Sequence, residues 1–179
     1  AVVNALQTKE TAPIPISVEY DSDDLDASES SSELSTIKLD GDSITFDGGG
    51  ITVGNNIVTI TAAGTYSISG TLNDGQIIID TQDEETVRLV LNGVNITYAT
   101  SAPIFVSNAE KTVITLAAGT ENVVTDGSSY IFADAETDEP DAAVFSKDDL
   151  TINGDGSLTV NANYNNGIVS KDNLKITGG

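Results

Sequence analysis

Between residues 121 and 149 the chain carries nine carboxylates against a single lysine, with Asp138-Glu139-Pro140-Asp141 leading into Ser146-Lys147-Asp148-Asp149. Carboxylates crowded onto a rigid scaffold repel one another. A hard divalent cation relieves that repulsion and fills its own shell of about six to eight oxygens. The expectation is therefore a Ca²⁺ ion held by carboxylates within 134–149. The spacing matches neither an EF-hand loop nor a calcium-binding nonapeptide repeat. A solvated acidic loop without an ion fits the same residues.

Lys147 and Lys171 recur in the same local context, Ser-Lys-Asp, at an offset of 24 residues. Stacked one repeat apart, two ammonium groups repel by roughly 1 kcal/mol even in water. Asp148, Asp149 and Asp172 lie beside them and offer neutralisation. Such a pair reads either as a cationic strip for sugar carboxylates, or a proton-abstracting base, or as a salt-bridged ladder on a solvated turn. Tyr98, Tyr130 and Tyr164 fall in or next to turns, where a ring can stack on a sugar face. Tyr66, Phe105 and Phe145 sit in strand patterns and read as core. Asn161, Asn163, Asn165 and Asn166 read as turn residues that satisfy nearby backbone.

Composition narrows the chemistry further. The chain has 28 Asp and Glu, seven Lys and Arg, a net charge of −21, and no Cys, His, Met or Trp. Nucleic acid and anionic membranes repel such a surface. Zinc and copper sites lose their usual ligands, and Ser–His or Cys–His nucleophiles are excluded. No apolar run reaches the length of a membrane-spanning helix. Numbering opens at Ala1 without a charged and apolar leader, as though a signal peptide had already been removed. Together these features suggest a secreted or cell-surface protein.

The positioning elements follow from the glycines, all of which lie at Gly41 or later. Before them, seven acids between Glu19 and Glu33 sit among serines with almost nothing apolar. Residues 1–40 read as an acidic, Ser-rich linker or irregular N-terminal segment, because such a run buries too little to offset its ordering entropy. An alternative is an edge strand from Ile14 to Tyr20, confined there by Pro13 and Pro15. From 41 to 179 short β-branched runs alternate with Gly, Asn and Asp turns, with no helical period.

An internal repeat distinguishes a sandwich from stacked coils. Residues 141–155 align with 165–179 at six identities in fifteen positions, with Val144 on Ile168 and Gly154 on Gly178. A unit of 24 residues suits one coil of three short strands. Strand starts near Ile77, Ile104, Val144 and Ile168 keep the pattern if residues 126–141 form one inserted loop. The fold expected is all-β, a right-handed parallel β-helix, with Leu150 over Leu174 and Ile152 over Ile176 inside.

Two runs, Thr86–Ile96 and Asp141–Gly154, resemble the carbohydrate-binding β-helix family of surface proteins in cellulose-degrading anaerobes, related in fold to pectate lyases. The resemblance spans about 41–179. It implies a calcium-bearing right-handed β-helix that binds plant cell-wall polysaccharide, notably acidic pectin (polygalacturonate), with cellulose as a further ligand. It supplies no catalytic constellation, so no catalytic residue is assigned. The metal candidates are Asp138, Glu139, Asp141, Asp148, Asp149 and Asp172. The carbohydrate-contact candidates are Lys147, Lys171, Tyr130 and Tyr164. A polysaccharide lyase and a purely structural adhesin are the alternatives. The repeat has only begun its next coil at Gly179, so a second polypeptide, or the remainder of a longer one, is expected to continue the β-helix over Leu174–Ile176.

Overall fold

The computed structural model describes residues 18–134 and 136–179. In chain order these form α1 (Ser22–Leu25), β1 (Leu34–Gly41), β2 (Ser43–Asp47), β3 (Ile51–Gly54), β4 (Ile57–Ile60), β5 (Gly64–Leu72), β6 (Gln76–Asp80) and β7 (Val87–Tyr98). There follow β8 (Ile104–Asn108), β9 (Lys111–Leu116), β10 (Glu121–Asp126), β11 (Ala142–Ser146), β12 (Asp149–Gly154), β13 (Ser157–Asn161), β14 (Asn166–Ser170) and β15 (Leu174–Ile176). The fold is all-β, as expected. No helix among the described residues is long and apolar enough to cross a membrane.

The strands form two sheets. The larger runs β15-β12-β9-β7-β5-β1-β2, with β10 against β7 and β13 against β10; the smaller runs β14-β11-β8-β6-β4-β3. The register is the one the repeat demands. Val144 lies between Ile104 and Ile168, Leu150 pairs with Leu174, and Ile152 pairs with Ile176, all in parallel. Alternation then sends every second side chain inward. Ile77, Ile104, Val144, Leu89, Ile114, Leu150 and Ile152 meet in one core, nearly or wholly without exposure.

Both sheets are mixed, which the parallel expectation did not include. β1 pairs with β2 and β3 with β4 in antiparallel fashion. The cause is turn chemistry. Asn55 and Asn56 both have positive φ, 53° and 59°, between the paired Gly54 and Ile57. Two left-handed central residues match the twist of a two-residue hairpin.

The linker expected through residue 40 also gives way in the described part. β1 starts at Leu34, and its Ile37 and Leu39 are buried in the core. The acidic run before it is placed against the larger sheet, with Asp24 fully buried. Residues 1–17, and with them most of the alternative strand Ile14–Tyr20, lie outside the described residues. At the other end β15 is an edge strand, with Leu174 42% and Ile176 62% exposed.

Candidate functional site

β10 ends at Asp126 in the larger sheet and β11 begins at Ala142 in the smaller one. The connection between them contains no strand among its described residues. It covers the face of the smaller sheet that points away from the core. There Phe145, Ala102 and Ala142 form a second buried cluster, against which Phe105, Tyr130 and Val169 pack. Phe105 and Phe145 are neighbours in register, with ring centroids 5.9 Å apart. Phe145 is thus buried as expected, but outside the main core. Tyr66 is in the main core and donates to the carbonyl of Ala62 at 2.8 Å.

The loop brings an aromatic group to the surface. Tyr130 and Tyr164 stack at 4.3 Å with planes 16° apart, and Phe132 is tilted against both at 6.2 and 6.4 Å. Tyr130 is the inner member, its hydroxyl donating to Asp126 Oδ2 at 2.8 Å. Burial, then the hydrogen bond and charge of Asp126, push its phenol well above the ordinary tyrosine range. Tyr164 is the outer member, 41% exposed.

Two aspartates hold this group in place from below. Asp126 is 2% exposed and accepts from the backbone N–H of Asn163 at 2.5 Å, while its carbonyl accepts from Asn163 Nδ2 at 2.7 Å. Asp141 Oδ2 accepts from Asn165 Nδ2 at 3.1 Å and Asn166 Nδ2 at 3.0 Å. In this turn Asn163 Nδ2 serves backbone carbonyls, as expected of a turn asparagine, whereas Asn165 and Asn166 also grip the Asp141 carboxylate. The other oxygen, Asp141 Oδ1, is buried and has no hydrogen-bond partner among the described residues. An orphaned carboxylate oxygen of this kind is unusual, and it is the donor chemistry a hard cation takes.

The remaining acids proposed from the sequence are dispersed. Asp148 Oδ2 accepts from the N–H of Ala109 at 2.9 Å. Asp149 Oδ1 accepts from the N–H and the side chain of Asn173, and Asp172 Oδ1 also accepts from the latter. Among the described residues no three acids come together as a metal cluster. Of the proposed set, Asp141 alone among the described residues presents a buried, unpartnered oxygen to a cation; Asp148 and Asp149 tie one turn to the next, and Asp172 bonds within its own turn.

Lys147 and Lys171 do stack, following Ser146 and Ser170, which pair in register. The ammonium of Lys147 lies 5.8 Å from the Phe105 ring and that of Lys171 6.0 Å from the Phe145 ring. Lys171 pairs with Glu139 at 2.5 Å, not with the adjacent aspartates. Glu139 is thereby engaged as a counter-ion. The hydrogen bond and charge of Glu139 raise the Lys171 pKa, which keeps the ammonium protonated. Neither Lys171 nor Tyr130 is prepared to act as a neutral or anionic base.

Sequence reasoning missed the roles of Asp126 and Phe132, and it read Asn163 only as a turn residue. Asp126 and Phe132 lie in the loop whose boundaries were legible, but no repeat partner marks them. Asn163 is one asparagine among four in its turn.

The family described as carbohydrate-binding domain-containing protein matches residues 54–179. A protein of that description from Acetivibrio thermocellus is 50% identical over 144 residues, covering 80% of this chain and 50% of the relative. A solved structure, that of the polysaccharide lyase-like protein from C. thermocellum as a gadolinium derivative, is 49% identical, with a TM-score of 0.79. The match covers 81% of this chain and 59% of that one. This chain spans about half the length of the curated relative it matches. By the extent of the family match and the identity to its relative, the chain belongs to the carbohydrate-binding domain-containing family.

Proposed function

We propose that this protein binds plant cell-wall polysaccharide, acidic pectin foremost and cellulose second, as a non-catalytic module at a bacterial cell surface. The observation that carries the reading is the exposed Tyr164 stacked on a half-buried Tyr130, in a chain of a carbohydrate-binding family. A ring held rigidly from below offers a sugar an apolar platform without losing side-chain entropy on binding. The scaffold is proposed to be a right-handed parallel β-helix behind its mixed first coils. The open edge of β15, with Leu174 and Ile176 exposed, is a surface that a further strand would cover.

A chain of charge −21 and a polyuronate repel each other, so an intermediary cation is part of the proposal. Asp141 would hold Ca²⁺ through its orphaned Oδ1, and the ion would supply positive charge toward uronate carboxylates. Retention on polygalacturonate is expected to require Ca²⁺ and to release no unsaturated product. Equal retention in excess EGTA would remove the bridging ion from the account. Chelation is also expected to lower the melting temperature, since an ion bound only by the folded state stabilises it by mass action.

Tyr164→Ala is expected to weaken polysaccharide binding about tenfold, the scale of one aromatic contact. Its melting temperature should change little, because the ring is half exposed. Undiminished binding by this variant on a polysaccharide array would refute the aromatic platform. The lyase alternative takes support from the likeness to a polysaccharide lyase-like protein. Against it stand the protonated states of Lys171 and Tyr130. Absorbance from unsaturated uronate at high protein concentration would reinstate it.

A further inference from the structure

The cationic side chains of Arg88, Lys111 and Lys175 rise near one another from the larger sheet, on the face turned away from the core. Register places Arg88 beside Val113, Val113 beside Thr151 and Thr151 beside Lys175, with Lys111 in the next row opposite Asp149. Outward residues of a sheet are ordinarily wet, yet Val113, Thr151 and Asn153 are at most 2% exposed. What covers them is the segment Asp21–Asp26.

The fit is carried by charge and hydrogen bonds. Lys111 Nζ contacts Asp21 Oδ2 and Asp24 Oδ1, each at 2.6 Å. Lys175 reaches Asp24 Oδ2, and the Thr151 hydroxyl donates to Asp24 Oδ1, again at 2.6 Å. Arg88 pairs with Asp26 Oδ2 at 3.3 Å. The same face also recognises the peptide backbone. Asn153 Nδ2 donates to the carbonyls of Asp24 and Asp26, Thr177 to that of Asp24 at 2.7 Å, and Arg88 to that of Asp26 at 2.5 Å. Apolar burial contributes little, because Leu25 is 64% exposed. The tether from Ala27 to Glu33 is exposed throughout.

We infer that this face is a docking site for an acidic peptide, filled by Asp21–Asp26 of its own chain and open to the same segment of a second copy once its own is displaced. Donors aimed at two backbone carbonyls, those of Asp24 and Asp26, match a peptide and have no counterpart in a polyuronate. A segment joined by an exposed tether and held without an apolar anchor competes with an identical segment on equal contacts. Its advantage is only the effective concentration its tether provides. The inference is independent of the carbohydrate reading, which concerns the opposite sheet and the 127–141 loop.

The test uses the full chain with a protease site placed at Ser30–Ser32 and then nicked. A fluorescent peptide of residues 18–29 serves as probe. Uptake of the peptide by the nicked chain is expected, about tenfold weaker when its Asp24 is Asn, because a neutral group loses the charge-assisted bonds. A nicked chain that stays folded and takes up no peptide at roughly millimolar concentration overturns the proposal. So does displacement of the peptide by polygalacturonate as readily as by unlabelled peptide. Should nicking unfold the chain, the uncut Asp21→Asn/Asp26→Asn protein replaces it, with uptake supporting the site and none at that concentration refuting it.

Discussion

Asp24→Ala is expected to cost about 3–5 kcal/mol of folding stability, the scale seen when one partner of a buried ion pair is removed. Asp24 has no exposed surface, and the side chains of Lys111 and Lys175 that it neutralises are 9% and 20% exposed. Removing it leaves Lys175 without its carboxylate and Lys111 with Asp21 alone, both largely under cover. Burial alone would raise its pKa, but the bonds from Lys111 and Lys175 hold it well below the usual aspartate range. Urea denaturation at pH 7 is the measurement. A loss under 1 kcal/mol, an ordinary value for surface pairs, would mean that the pairs are solvated and the segment loosely held.

The same groups give the stability a pH signature. Asp21 is lowered mainly by its bond to Lys111, and Asp26 mainly by Ser28. For carboxylates lowered in the folded state, the contribution is complete above about pH 4, the unfolded value, and declines as the pH falls below it. Lys111 behaves oppositely. Burial opposes its charge, but Asp21 and Asp24 raise its pKa overall, so its contribution is complete below about pH 10 and lost on further rise. The gap between wild type and Asp24→Asn should be constant from about pH 5 to 9 and shrink toward about pH 2. A gap that is unchanged at low pH would contradict the ionised assignment.

Gly154→Ala is the second substitution expected to be severe, at about 3 kcal/mol or more. Gly154 has φ of +97°, and an added Cβ would lie 2.2 Å from the carbonyl oxygen and 2.7 Å from the nitrogen of Leu116 in the strand alongside. Backbone strain and a collision with immovable main chain act together. Gly93 separates the two effects, since its φ is +76° but a Cβ there meets nothing within 4 Å. Gly93→Ala should cost only about 1–2 kcal/mol, the penalty of left-handed backbone in a non-glycine residue. Equal losses at both positions would show that the close approach to Leu116 is unimportant.

The Gly154 environment also shows why part of this fold was readable in advance. A Cβ on Gly178 would sit 2.6 Å from the carbonyl of Gly154, much as one on Gly154 would crowd Leu116. Each coil thus imposes on the next the same demand at the same place, and that demand surfaces as the Gly154/Gly178 match. The pairs Val144–Ile168 and Leu150–Leu174 were legible for the same reason. The Asp21–Asp26 segment offered no such signal. Its counter-charges stand at 88, 111 and 175, none of them near it in sequence, so local composition resembled an unfolded linker. The hairpins at the start of each sheet were missed because they precede the repeat. At the candidate site the loop and Tyr164 were evident, whereas the anchoring roles of Asp126 and Asp141 depend on a turn brought alongside by stacking.

The way the acidic segment crosses the strands decides how the molecule would bear tension. A pull applied at residue 18 does not reach β1 first. It is delivered through Asp21 and Asp24 into β9 and β15, several strands away from where the chain enters the sheet. The ion pairs there are loaded before any backbone ladder is peeled, and they act as a mechanical fuse. Because it is fastened by charge, the fuse should release at lower force as ionic strength rises, while the force needed to unravel the strands beneath stays nearly constant.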